Sequence, residues 1–117
     1  MDGGFLHITF SSKRVEKCFE DYSEMQRYIP LQWVRTIKKH VNHLRAAERF
    51  GDFLKLGIGH PEALKGKDAG RYSVHVNGNV RLIIQPDTRG ENVLICEVVE
   101  IKGVIDYHGG KESWYIR

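Results

Sequence analysis

The chain has 117 residues, 41% of them hydrophobic and 28% charged, enough for one cored domain over residues 1–117. It holds no run of 18 apolar residues, so no membrane span is expected, and MDGGFLHITF lacks the basic start of a secretory signal. Cys18 and Cys96 fall inside expected elements rather than at scaffold spacings. They read as buried free thiols of a reducing compartment, which makes the cytoplasm the expected location.

The net charge of +3 is unevenly spread. Residues 31–50 carry Arg35, Lys38, Lys39, Arg45 and Arg49 against the single acid Glu48, whereas the preceding segment holds Glu16, Glu20, Asp21 and Glu24. A cationic helix face suits a polyanion such as nucleic acid, or an acidic protein, and is also compatible with a plain solvated surface.

In chain order, Phe5 to Phe10 alternates as a short strand does. Ser11 or Ser12 can cap a first helix, whose apolar stripe Val15, Cys18, Phe19, Tyr22 and Met25 carries it to about Arg27. Pro30 suits the start of a second helix with the stripe Leu31, Val34, Ile37, Val41 and Leu44, closed near Gly51. Residues 52–59 are expected to be an irregular connection. Asn77-Gly78-Asn79 then marks a hairpin. A three-residue loop there pairs Val76 with Val80, Val74 with Leu82 and Tyr72 with Ile84, which gathers one apolar face. Arg71, Ser73, His75 and Arg81 fall on the other. Asn92 to Ile101 is β-branched and apolar enough for a central strand, Gly103 interrupts it, Val104 to His108 can extend the sheet, and Ser113 to Arg117 forms a last short strand. The predicted order, β-α-α-β-β-β, is an α+β fold. It is a twisted antiparallel sheet with an N-terminal strand and a two-helix hairpin on one face.

Residues 60–81 concentrate loop signals, a hairpin turn and cations. His60-Pro61, Leu64-Lys65-Gly66, the strands flanking Asn77 to Arg81, and Asp106-Tyr107-His108 together resemble the RelE/ParE superfamily of bacterial toxins, most closely its HigB branch. The resemblance implies a RelE-like fold and a ribosome-dependent mRNA interferase that drives a ribose 2′-OH onto the adjacent phosphate. It also implies a cognate antitoxin, and a toxin–antitoxin heterotetramer that binds operator DNA through the antitoxin.

Lys65, Arg81, Tyr107 and His108 match the family's catalytic positions. In-line attack needs a proton acceptor, a proton donor and cations for the phosphate charge, and convergent Lys and Arg make a cofactor or metal unnecessary. Arg81 offers a planar fork for phosphate, and an imidazole such as that of His108 can act as acid or base. Tyr107 can stack on a base or share in proton transfer. Lys67, Arg71, His60 and His75 are added as RNA-binding residues, with Lys38, Lys39, Arg45 and Arg49 meeting ribosomal RNA. His40 and His43, three apart on a helix, have no nearby Cys or acid to complete a metal site.

Two features depart from the family's pattern. Asn77 stands where some members have Arg, and GGKESWYIR continues past His108, where it could cover the site. Other readings of the same fold are a toxin that inhibits DNA gyrase without cleavage, and an inactive protein that only binds its antitoxin.

Overall fold

A computed structural model describes residues 4–108 and 110–117. The strands are β1 (His7–Phe10), β2 (Glu62–Ala63), β3 (Tyr72–Asn77), β4 (Val80–Pro86), β5 (Val98–His108) and β6 (Lys111–Ile116). The helices are α1 (Lys13–Glu20), α2 (Tyr22–Met25), α3 (Leu31–Ala46) and α4 (Phe50–Leu56).

Local chemistry explains both the helices and the places where they depart from the sequence pattern. The Ser12 hydroxyl accepts the Val15 N–H at 3.1 Å and starts α1. The helix expected to reach Arg27 breaks at Asp21, which is extended (φ −137°, ψ 99°) and whose carboxylate accepts the Ser23 N–H to start α2. An aspartate offers its neighbours such an alternative to the helical ladder. Val34, Ile37, Val41 and Leu44 are buried as predicted, but Leu31 stays exposed. The second helix stops at Ala46, not Gly51, because Ala47 is extended. The stretch expected to be irregular instead forms α4, started by Asp52 Oδ2 accepting the Arg49 N–H at 3.2 Å and ended by Gly57 at φ 66°.

The sheet runs β2-β3-β4-β5, and the far edge of β5 is shared by two strands. β1 lies along residues 98–101 and β6 along residues 104–108. The sheet is antiparallel except at β1, which pairs with β5 in parallel. Gly103 marks the changeover at φ 140°, and a Cβ there would run into the carbonyl oxygen of Ile116. Glycine therefore lets β5 continue where an interruption was expected. The first part of the predicted central strand is instead a 3-10 turn. Asn92 Oδ1 accepts the Leu94 N–H at 2.8 Å, and Leu94 and Ile95 are exposed.

The hairpin keeps the predicted pairs Val74–Leu82 and Tyr72–Ile84, but Asn77, not Val76, pairs with Val80. A bulge at Val76 absorbs the extra residue and keeps both valines buried, so the turn is Gly78-Asn79 with Gly78 at φ 49°. Burial of the apolar face thus decides the register, and the bulge accommodates the turn. That face (Val74, Leu82, Ile84, Val99, Ile101, Val104) packs under Val15, Phe19, Val34, Ile37, Val41, Phe50 and Phe53. Among the described residues the opposite face carries no α-helix, only the loop with the 3-10 turn Gly66–Asp68.

Candidate functional site

The open face is built on a buried floor of Ser73, Ile83 and Ile105. Arg81 on β4 sits opposite His75 of β3 and Ile105 of β5. Strand alternation brings Tyr107, two residues beyond Ile105, to the same side. β6 adds Glu112 opposite Tyr107 and Trp114 opposite Ile105. The loop before β3 supplies Lys67, whose Nζ is 3.5 Å from Glu112 Oε2, and Arg71, which is 3.5 Å from Asp68 Oδ1 and 3.4 Å from Gln85 Oε1.

Tyr107 registers this company. Burial, then the charges of Asp68 and Glu112, push its phenol above the usual tyrosine range, while Arg71 and Arg81 pull it down. At neutral pH it is therefore a protonated phenol, able to donate but not to act as a base.

The hairpin tip organises the candidate groups. Arg81 Nη1 donates to the carbonyl oxygens of Gly78 at 2.6 Å and Val80 at 3.1 Å. The Asn79 amide donates to His108 Nδ1 at 3.1 Å, and the Asn79 carbonyl accepts the Tyr107 N–H at 3.0 Å. Asn79 thus does more than form the turn expected of it, and its φ is not among the positive values.

The residues singled out by sequence fall into four groups. Arg81, Tyr107, Arg71, Lys67 and His75 share the open face. His108 is exposed at the end of β5, where alternation turns it away from Tyr107 and only Asn79 ties it to the turn beside Arg81. Lys65 is exposed in the loop before the 3-10 turn Gly66–Asp68, and His60 is exposed at φ 46° in the connection after α4. The cations of the helical layer lie beyond the sheet from this face. Lys39, Arg45 and Arg49 are exposed there, and Lys38 Nζ sits 5.7 Å from the ring centre of Tyr22.

His40 is structural. Its ring is buried, and Nε2 donates to the His75 carbonyl at 2.8 Å, pinning α3 to the strand opposite Arg81. Among the described residues no cluster of three or more His, Cys, Asp or Glu side chains is placed to hold a metal. Asp106 turns to the helical side, where its Oδ2 accepts the Tyr115 hydroxyl at 3.2 Å and Tyr115 meets Trp33 edge-on. The tail after His108 therefore extends the sheet instead of covering the open face. Asp68 and Glu112 were missed. Asp68 stands three residues from Arg71, a spacing that could have suggested the ion pair, whereas Glu112 reaches Tyr107 only through strand pairing.

This mixed sheet with helices on one face is a toxin fold. Its relatives among solved structures include a YoeB dimer from Staphylococcus aureus, with TM-score 0.55 and 23% identity over 90% of this chain and 99% of that one. A chain of a YoeB-YefM complex from the same organism aligns with TM-score 0.54 and 27% identity, over 88% of this chain and 97% of that one. A YoeB/ParE toxin from Agrobacterium tumefaciens has TM-score 0.56 and 16% identity, over 85% and 95%. No curated protein matches the chain. The sequence profile described as a RelE-like toxin of the type II toxin–antitoxin system HigB matches residues 8–108. The chain belongs to that HigB-like toxin family.

Proposed function

We propose that this toxin is a metal-independent endoribonuclease that cuts mRNA on the ribosome, with the open face of the sheet as its active site. The observation that carries the proposal is the convergence of Arg81, Arg71 and Lys67 with the protonated phenol of Tyr107 on one helix-free surface.

The scissile phosphate lies over Arg81, whose guanidinium is already oriented by the Gly78 carbonyl, with Arg71 and the exposed Lys65 and Lys67 adding positive charge. A ribose 2′-OH loses its proton and its oxygen bonds to phosphorus. The bond to the 5′-oxygen breaks, leaving a 2′,3′-cyclic phosphate and a 5′-hydroxyl. Tyr107 suits the donor that protonates the leaving oxygen, because its phenol keeps its proton at neutral pH. His108 is the group suited to take the 2′-OH proton. With Nδ1 accepting from Asn79, its ring proton sits on Nε2 when neutral, so a switch of tautomer or a water must accompany this role. His75 and His60 border the path of the RNA.

The helical-layer cations suit a second, separate polyanion, and ribosomal RNA is the partner that fits a toxin working on bound mRNA. Lys39, Arg45 and Arg49 would anchor the protein there while the opposite face holds the message. A YoeB-YefM toxin-antitoxin pair from S. aureus forms a heterotetrameric complex. We propose a comparable assembly here, in which the antitoxin masks the open face and carries any operator DNA contact.

The test is induction of the wild type and of Arg81→Ala/His108→Ala in bacteria, with mRNA 5′ ends mapped by primer extension. Frame-dependent cuts within coding regions, lost in the double variant, are expected. Growth arrest without new ends, unchanged by the substitutions, would sink the proposal.

A further inference from the structure

Beside Tyr107 the open face continues into a cleft of about 370 Å³, which falls within the range of ligand pockets, roughly 300–1,000 Å³. The loop residues Lys67 and Arg71 form one wall, and Glu112 and Trp114 of β6 form another. Lys102, Ser11, Ser12 and Arg117 complete the lining. Lys67 and Arg71 are paired with Glu112 and Asp68, and Lys102 with Glu100 at 2.6 Å, which leaves Arg117 as the cation that tips the lining positive. Trp114 is half-buried and lines the cleft, and the exposed Arg117 guanidinium lies 5.8 Å from its ring centre.

We infer that this cleft is a nucleotide subsite for the RNA residue adjoining the scissile phosphate, with its base stacked on Trp114. The inference rests on the proposed ribonuclease function and extends it to substrate selection. The cleft and the candidate active site share Arg71 and Glu112 as common borders, so a single strand can pass from one to the other without leaving the protein surface. Indole and guanidinium planes both stack on bases. An incoming base takes the place over the indole that Arg117 holds in the free protein, and the displaced guanidinium becomes free to pair with phosphate. The next phosphate lies between Lys67 and Arg71. It replaces Glu112 as the partner of Lys67, an exchange that a largely exposed ion pair permits at little cost. An acidic peptide could satisfy the cations but has no use for a flat aromatic platform.

The probe is a mixed-sequence RNA hexamer with 2′-O-methyl sugars, which has no nucleophile and is not cleaved. In a Trp33→Phe background Trp114 is the remaining tryptophan of the two. The hexamer is expected to quench Trp114 emission saturably. Replacing Trp114 by Leu should weaken hexamer binding, followed by anisotropy of a labelled RNA, about tenfold, while Trp114→Phe keeps most of it. Thermal melts confirm that each variant folds. In cells, Trp114→Leu should relax the base preference next to the mapped cuts.

Arg81-dependent mRNA cutting together with unchanged Trp114 emission would overturn the subsite and leave the ribonuclease proposal standing. Saturable quenching of Trp114 emission, with hexamer binding by anisotropy weakened in Trp114→Leu, in a protein that cuts no mRNA, would keep the subsite and remove the ribonuclease. Quenching by an acidic antitoxin segment but not by the hexamer would make the cleft a protein-docking surface and overturn the inference.

Discussion

Glu112 on β6 faces Tyr107 across the strand pair while its Oε2 lies 3.5 Å from Lys67 Nζ, so one carboxylate touches both the loop and the candidate proton donor. It raises the phenol's pKa and holds Lys67 away from an incoming phosphate. Glu112→Gln is expected to lower the Tyr107 pKa, measured by the Cζ carbon shift in an NMR titration, and to tighten RNA binding by about two- to fivefold, in keeping with an exposed ion pair's ~0–1 kcal/mol. Unchanged values for both would remove Glu112 from the site.

His40 is a buried imidazole whose Nε2 proton is committed to His75 and whose Nδ1 is buried without a partner. Burial, more than the nearby His43, Lys39 and His75, lowers its pKa. A depressed folded-state pKa means the unfolded chain binds the proton first. Stability is therefore full above an unfolded-state pKa of ~6.5 and is lost as pH falls toward the folded value. Urea midpoints from pH 8 to pH 5 should fall more steeply in the wild type than in His40→Asn, which should be less stable at pH 8 by ~1–3 kcal/mol if the His75 carbonyl loses its donor.

Gly103→Ala is expected to be severe. The backbone angle of φ 140° and the closeness of the Ile116 carbonyl leave no room for a methyl group. A loss of more than ~2 kcal/mol is expected, with amide exchange accelerated first in β6. A variant that melts with the wild type and protects β6 equally would show that the β5–β6 junction tolerates a side chain.

Asn79→Ala tests whether the turn positions His108. The side chain is exposed, so stability should change by no more than ~0.5 kcal/mol. The ring nitrogen shifts of His108 should change, and mRNA cutting should slow by about tenfold, a small part of the ~10²–10⁴ that general acid–base catalysis supplies. Cutting at the wild-type rate with altered ring shifts would exclude His108 from the proton transfers.

Charge reversal at Lys39, Arg45 and Arg49 separates the two surfaces. Ribosome binding should weaken, and its logarithmic salt slope should fall by about 2–3, near 0.7–0.9 per lost phosphate contact. Binding of the short RNA to the open face should be unchanged. Equal loss of both would mean that one continuous surface serves the two partners.

Much of this was legible in the sequence because burial dictates it. The alternation of Tyr72, Val74, Leu82 and Ile84 predicts the hairpin's two faces, and with them Arg81 and His75 on a common surface. What escaped depends on single backbone choices. Asp21 and Ala47 turn extended inside helical patterns, with no glycine or proline to announce it. Asn92 caps a 3-10 turn in a segment whose composition favours a strand. At the site, the tail's apolar residues predict a docked strand, but only the pairing of β6 with β5 puts Glu112 opposite Tyr107. His108 followed a motif, whereas strand alternation turns it from the phenol beside it.

The outer side of β3 is also closed to strand exchange. Ser73 and Tyr72 are paired with β2, and the Arg71 carbonyl accepts the Leu64 N–H. The last outward-facing pair, the N–H and carbonyl of His75, is taken by the Gly59 carbonyl and the His40 ring. A neighbouring chain therefore finds no free backbone ladder along residues 71–75, which guards against edge-to-edge aggregation. An antitoxin segment that adds a strand to the sheet must therefore do so beyond β1, β2 or β6.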